Sequence, residues 1–273
     1  MKIISVVNHK GGVGKTTTTL NLGKALALLG KRILVVDIDP QANLSQSVGI
    51  ENPESNIYHA LCEDAPPPIY QISERLFLLP SDIDLSEAEL KLQTEVNGYF
   101  RLRKILHSFS KNYDYILIDC PPSLSILTLN ALIASHYTLL VVQAEYLATK
   151  GLKTILSLIE ELKENLNPNI EVIGMLITQI DRTVVRNQIA EQVKSIYQGK
   201  VFDTMIRSNV ALTEASAVNQ DIFSYNGNSA GAEDYMKLAK ELLYETRKVN
   251  FRIFYRVLLS IRIPFREVLR SAL

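Results

Sequence analysis

The segment Lys10-Gly11-Gly12-Val13-Gly14-Lys15-Thr16-Thr17 constrains this chain more than any other stretch. It follows an apolar, β-branched run over residues 2–8 and opens a helical pattern over residues 15–29. A strand that turns through glycines directly into a helix builds a phosphate cradle. The glycines let successive backbone N–H groups point at one anion, and the helix start adds the positive end of its dipole. In such a loop Lys15 reaches β- and γ-phosphates as a point charge. Thr16 offers a hydroxyl to Mg²⁺, a cation that takes oxygen ligands and keeps several waters. The candidate nucleotide-binding residues are therefore Lys10, Gly11, Gly12, Val13, Gly14, Lys15, Thr16 and Thr17.

The rest of the chain repeats the strand-then-helix rhythm, which predicts a parallel sheet buried on both faces. Strands are expected over 2–8, 32–37, 115–119, 138–143 and 171–178, with shorter ones over 76–79, 200–204 and 221–224. Helices are expected over 15–29, 99–110, 124–134, 149–165, 184–198 and 229–244. Three prolines at 66–68 make that stretch a loop. The predicted fold class is α/β, a doubly wound, mostly parallel sheet flanked by helices. It forms one domain over residues 1–246, followed by a basic helical tail over 247–273.

Two more motifs end predicted strands. Tyr115-Ile116-Leu117-Ile118-Asp119 is an apolar run closed by a carboxylate, the pattern that holds Mg²⁺ through water in nucleotide hydrolases. Asp37-Ile38-Asp39-Pro40-Gln41 places another carboxylate, Asp39, at the end of another strand. A strand-end aspartate serves equally as a helix N-cap or turn residue. Three such motifs in order, each at a strand end, point instead to one nucleotide site at the C-terminal edge of a parallel sheet. Cys62 and Cys120 are too few for a disulfide framework or a four-cysteine zinc site, and their spacing offers no iron–sulfur ligation. His59, His107 and His136 stand alone, without metal-ligand spacing, and read as surface or core-packing residues.

The loop lacks the first glycine of the standard G-x-x-x-x-G-K-[ST] pattern and carries Lys10 instead. In this it resembles the deviant Walker A ATPases, the family of ParA and MinD, and specifically the ParA/Soj-type partition ATPases. The resemblance spans residues 1 to about 246. It implies a P-loop NTPase fold, ATP and Mg²⁺ as ligands, and weak intrinsic ATP hydrolysis. Lys10 would reach across a nucleotide-sandwich homodimer to the partner's phosphates, and Asp39 would orient or deprotonate the attacking water. Catalytic roles thus fall to Lys10, Lys15 and Asp39, and Mg²⁺ to Thr16, Asp39 and Asp119.

Ile206-Arg207-Ser208-Asn209-Val210-Ala211-Leu212-Thr213-Glu214-Ala215 resembles the partition signature I-P-R-N-V-x-L-x-E-A, in which Asn209 would lie by the adenine. Gly231-Ala232-Glu233-Asp234-Tyr235 resembles the family's G-A-x-x-Y. Arg207 stands for the usual proline, Ser208 for the usual arginine, and Ala211 where an arginine often contacts DNA. Arg182, Arg186, Lys194 and Lys200 remain as a basic strip for DNA, a pattern a solvated helix surface explains equally well.

Lys+Arg and Asp+Glu balance at 29 each, which excludes a globally basic nucleic-acid binder. The balance is uneven, however. Residues 247–273 carry seven basic residues and one acid, leaving 22 basic and 28 acidic residues in the body. On a helix, Arg252, Arg256, Arg262, Arg266 and Arg270 fall within an arc of roughly 120°, opposite Phe254, Val257, Leu258, Ile261, Phe265 and Val268. Pro264 predicts a break near residue 263. Such a face suits DNA phosphates, an anionic membrane or the acidic body itself. No stretch approaches the ~18 apolar residues of a membrane span. The expected setting is cytoplasmic, with nucleoid association in the ATP state. Three functions compete: an ATP-driven partition protein that binds non-specific DNA and is reset by a ParB-like partner, a MinD-like membrane-positioning ATPase, and a nucleotide-dependent switch with little turnover.

Overall fold

The computed structural model describes every residue except 110, 145–147, 182–183 and 261–273, and it leaves the side chains of 148–150, 184–185, 187 and 247–260 undescribed as well. Its strands are β1 (Lys2–Val7), β2 (Ile33–Asp37), β3 (Tyr70–Ser73), β4 (Leu76–Leu79), β5 (Tyr115–Asp119), β6 (Tyr137–Gln143) and β7 (Glu171–Thr178). They form one seven-stranded sheet in the order β3-β4-β2-β5-β1-β6-β7. Every pairing is parallel except β3 with β4.

The period-two alternation of each strand divides the core into two layers. Ile3, Val7, Leu34, Val36, Ile116 and Ile118 face one side, and Ile4, Val6, Ile33, Val35, Tyr115 and Leu117 face the other. The first layer is closed by helices α3 (Ile57–Cys62), α4 (Leu85–Thr94), α5 (Arg101–His107), α6 (Ile126–Ala134) and α7 (Ala148–Asn165). The second is closed by α1 (Lys15–Leu28), α9 (Val210–Ala217), α10 (Ile222–Asn226) and α11 (Ala230–Ser260). The short α2 (Asn43–Gln46) follows the turn after β2, and α8 (Val184–Ile196) packs on the outer edge at β7 through Ala190 and Val193. This is the doubly wound α/β architecture expected from the pattern.

Two short strands are not formed. Residues 221–224 begin α10, because the Asp221 carboxylate accepts from the backbone N–H of Phe223 and Ser224 at 3.0 and 2.9 Å and so caps a helix. Residues 200–204 contribute only an isolated parallel bridge, Met175 to Val201, beside β7. Residues 99–110 begin as a 3₁₀ turn (Gly98–Phe100) before α5. The half-exposed edge strand β3 and helices α3, α4 and α9 were not signalled by periodicity.

Helix α11 runs from the C-terminal edge of the sheet to the opposite edge. Near its start the Tyr235 hydroxyl meets Thr18 Oγ1 at 3.2 Å, just behind the phosphate loop. At Thr246 it reaches the first residues of β1 and β5: Lys2 Nζ donates to the Thr246 carbonyl at 2.7 Å, and the Tyr115 hydroxyl meets Thr246 Oγ1 at 3.0 Å. The helix continues past this anchor to Ser260, and the expected break near residue 263 lies outside the described residues. Among the described residues no helix is long and apolar enough to cross a membrane.

Candidate functional site: a phosphate loop beside three buried carboxylates

The loop between β1 and α1 stands at the C-terminal edge of the sheet, where parallel strands present their ligands. Gly12 and Gly14 hold φ of 73° and 92°, the left-handed region that side chains resist, and Gly14 is the residue that caps α1. The loop is fastened from both sides. Asn8 Nδ2 donates to the Val141 carbonyl at 2.6 Å while Asn8 Oδ1 accepts the Lys10 N–H at 3.0 Å. From β7, Thr178 Oγ1 donates to the Val13 carbonyl at 2.8 Å and Gln179 Nε2 to the Gly12 carbonyl at 2.7 Å. With carbonyls held outward, the loop's remaining N–H groups are pre-aimed for an anion.

Lys15 is buried, and its ammonium turns back onto the Lys10 carbonyl at 3.3 Å. Burial lowers its pKa, against the pull of Asp119, Cys120 and Asp39. Thr16 Oγ1 donates to Asp119 Oδ2 at 2.7 Å, so the helix start and the end of β5 meet through two hard oxygen atoms. Asp119 lies in register with Asp37 on the neighbouring β2. Burial, then the charge of Asp37, pushes the Asp119 carboxyl well above the usual range, opposed by Thr16 and Lys15. Asp37 itself is pushed up to about 6 by burial, although the Ser45 N–H and hydroxyl donate to it at 2.9 and 2.8 Å. Burial therefore disfavours charge on the lysine and on both carboxylates at once. Bound phosphate would reverse that for Lys15, and a divalent cation would do so for Asp119.

Asp39 sits at the same edge, buried, in a turn held from two sides: its carboxylate accepts the Gln41 N–H at 3.0 Å, and its carbonyl accepts the Ser81 hydroxyl at 2.8 Å. Thr16, Asp39 and Asp119 form an all-oxygen donor set, the chemistry Mg²⁺ takes. Among the described residues no group of three or more His, Cys, Asp and Glu could cage a metal unaided. The residues thus fit a cation that arrives with phosphate and is held by one or two protein oxygens.

Lys10 extends over the exposed rim, where its Nζ donates to Gln143 Oε1 at 3.2 Å. Gln143 in turn donates to Gln179 Oε1 at 2.6 Å, so Lys10 belongs to the same chain of contacts that braces the loop. Thr17 lies on the other side, in the wall of a cleft of about 410 Å³ that also meets Gly14, Gln179, Asn209, Leu212 and Tyr235. Asn209 caps α9, its side-chain oxygen accepting the Ala211 N–H at 2.9 Å. The basic strip is less coherent. Arg186 donates to the Gln179 carbonyl at 2.5 Å and pairs with Asp181 at 3.3 Å, and Lys194 stands 3.8 Å from Glu191. Lys200 is exposed, and Arg182 lies outside the described residues.

Asn8, Asp37, Ser45, Thr178 and Gln179 were not singled out from sequence. All but Ser45 sit at or just beyond the C-terminal end of a strand, the one signal that points to them. Of the isolated histidines, His59 completes the capping box of α3, His136 Nδ1 accepts the Ile3 N–H at 3.0 Å, and His107 is exposed at the end of α5. Cys120 is fully buried in the core.

A parallel sheet with a glycine-bent loop, a buried lysine at a helix start and a threonine bonded to a strand-end aspartate define the P-loop nucleotide hydrolases. The AAA domain family matches residues 1–172. The sporulation initiation inhibitor protein Soj of Bacillus subtilis (strain 168) is 44% identical over 249 residues, 88% of this chain and 98% of that protein. The chromosome partitioning protein ParA of Myxococcus xanthus (strain DK1622) is 40% identical over 248 residues, 89% of this chain and 88% of that protein. Among solved structures, cobyrinic acid a,c-diamide synthase from Mycobacterium smegmatis with bound ATP analog and magnesium superimposes with a TM-score of 0.80. It is 32% identical, over 90% of this chain and 96% of that one. The chain belongs to the ParA/Soj family of P-loop ATPases. A synthase on the same fold shows that the fold alone does not choose the output, which lies in the site and its partners.

Proposed function

We propose that this protein is an ATP-driven partition switch, with ATP and Mg²⁺ as its ligands. Lys15 and the loop N–H groups bind the β- and γ-phosphates, Thr16 and Asp119 face the metal, and Asp39 orients the attacking water. Magnesium supplies charge neutralisation for the transferred phosphoryl group. Lys10 acts across a nucleotide-sandwich dimer, meeting phosphate charge only once two copies have assembled. The dimer holds non-specific DNA, which associates it with the nucleoid, and a ParB-like protein resets it by stimulating hydrolysis. Asn209 borders the base.

The observation that carries this reading is the meeting of Lys15, Thr16, Asp119 and Asp39 at one sheet edge, in a chain that is 44% identical to Soj. With Arg186 and Lys194 engaged in ion pairs, the DNA contact falls mainly to the basic segment 247–273, taken as a unit separate from the ATPase domain of 1–246. The test is retention on non-specific DNA with and without ATP–Mg²⁺, for the full chain and for a chain lacking 249–273. ATP-dependent retention that weakens on truncation, with a shallower salt dependence, supports the reading. Retention on anionic vesicles but not on DNA overturns it in favour of membrane positioning.

A further inference from the structure

Three residues on one face of α11 touch three different walls of the cleft beside the phosphate loop. Gly231, Asp234 and Tyr235 stand at i, i+3 and i+4, and so share a face of the helix. At Gly231 the helix passes so close to α9 that a Cβ there would fall 2.9 Å from Leu212 Cγ. Tyr235 reaches Thr18 of α1. Asp234, which is buried, holds the third wall, the segment running from Ile206 to Asn209. It accepts the Arg207 N–H at 2.9 Å, and the Arg207 guanidinium grips it through Nε at 2.9 Å and Nη2 at 2.6 Å. Glu233 adds a second carboxylate to the same Nη2 at 2.6 Å, and Lys237 braces Glu233 at 2.8 Å. Glu233 is correspondingly held down to about 2 by Lys237 and Arg207.

The segment is otherwise anchored at one end only, where Ile206 is buried in the core; beside the end of β7 it makes three backbone bonds, Ile206 N–H to the Ile177 carbonyl at 2.9 Å, Ile180 N–H to the Ile206 carbonyl at 3.1 Å and Ser208 N–H to the Ile180 carbonyl at 2.7 Å, without forming a strand. A forked guanidinium on a buried carboxylate fixes orientation as well as distance, which a single ion pair does not.

We propose that Arg207 and Asp234 are positioning residues that set the width of the cleft for the nucleoside part of ATP. They touch neither the phosphate loop nor the three carboxylates near Lys15. They act on the wall that ends in Asn209, while Tyr235, the next residue of the same helix, locates the opposite wall. The inference rests on the cleft being the nucleotide site, as in the function proposed above.

The test separates nucleoside from phosphate recognition. Displacement of a fluorescent nucleotide measures the affinity of ATP, GTP and inorganic tripolyphosphate for wild type, Arg207→Ala, Arg207→Lys, Asp234→Asn and the charge-swapped double variant Arg207→Asp/Asp234→Arg. Arg207→Ala is expected to weaken ATP roughly tenfold, about 1.4 kcal/mol, and to narrow the preference for ATP over GTP, while tripolyphosphate binds as in wild type. Arg207→Lys keeps the charge without the fork and shows the same split at smaller size, so the result does not depend on the alanine variant folding. Partial recovery in the swapped pair supports the clamp. Unchanged ATP affinity in Arg207→Ala and Asp234→Asn overturns it, and so does parallel loss of ATP and tripolyphosphate. Lys15→Gln is the control for the underlying site: if it binds both ligands as wild type does, the phosphate-loop reading fails, whatever Arg207 does.

Discussion

The two ends of the parallel strands use similar side chains to opposite effect. At the N-terminal edge, Lys2, Tyr115, His136 and Thr246 meet through neutral partners: an ammonium on a carbonyl, a hydroxyl on a hydroxyl, an imidazole nitrogen on a backbone N–H. These bonds close the sheet onto α11. At the C-terminal edge, Asp37 and Asp119 face each other in register, buried, with Asp39 and Lys15 beside them. Burial there pushes both the lysine and the facing pair of carboxylates toward neutrality; the charge of Asp37 raises Asp119 further, and that of Asp39 raises Asp37. One end is satisfied by the fold itself, and the other is completed by a ligand carrying both phosphate and a cation. Charge that the fold leaves uncompensated marks the functional end.

The contrast is broken most severely at Lys15. Lys15→Gln removes a buried cation aimed at the loop and should abolish measurable ATP binding, a loss of about 100-fold or more. Isothermal titration with ATP–Mg²⁺ checks it, and wild-type affinity in the variant would remove the phosphate loop from the function. The two carboxylates that flank the lysine should then separate by role. Asp39→Ala should lower kcat far more than affinity, because orienting water stabilises the transition state and little else. Asp119→Ala should weaken Mg²⁺-dependent binding itself, since Thr16 loses its partner and the cation a ligand. Equal loss of affinity in the two variants would erase the division.

This end of the molecule was legible in the sequence because its chemistry needs particular residues at particular spacings. Gly12, Gly14, Lys15 and Thr16 cannot be permuted, Asp119 closes an apolar run, and Asp39 follows one by two residues. The supporting residues left no such mark. Asn8, Thr178 and Gln179 hold the loop by ordinary amide and hydroxyl bonds that many residue types at a strand end could make. The parallel sheet followed from the alternation of strand and helix, whereas the edge strand β3 has too little buried apolar surface to show a period. Asp221 falls in the short strand expected over 221–224, and its capping carboxylate makes that stretch the start of a helix instead. Arg207 was noticed as a departure from the family. Its partner Asp234 lies 27 positions along the chain, a pairing only the fold reveals.

A milder probe is pH. The Asp37 carboxyl is raised from 3.8 to about 6, so the folded state favours its protonated form. Its contribution to stability is full below the unfolded value and is lost as pH rises through about 6, a change of roughly 3 kcal/mol. Asp119 acts in the same direction. In nucleotide-free protein, Asp37→Asn should therefore gain stability relative to wild type as pH climbs through that window. Urea midpoints at a series of pH values measure the difference, and a difference independent of pH would contradict the burial argument.

The smallest effect belongs to the opposite edge. Lys2→Met removes the bond from Lys2 Nζ to the Thr246 carbonyl and its 5.8 Å approach to the Tyr115 ring, while keeping much of the apolar stem. The carbonyl it leaves is only partly buried, so the expected cost is about 1 kcal/mol of stability. ATP affinity should not change, because α11 is separately fastened near the loop by Tyr235 and Asp234. Thermal melting and nucleotide titration on the same preparation read both quantities. A fall in ATP affinity would mean that α11 transmits displacement along its length. In that case Thr246, just before the basic segment begins, would be coupled to the nucleotide site, and the two ends of the sheet would form a single device.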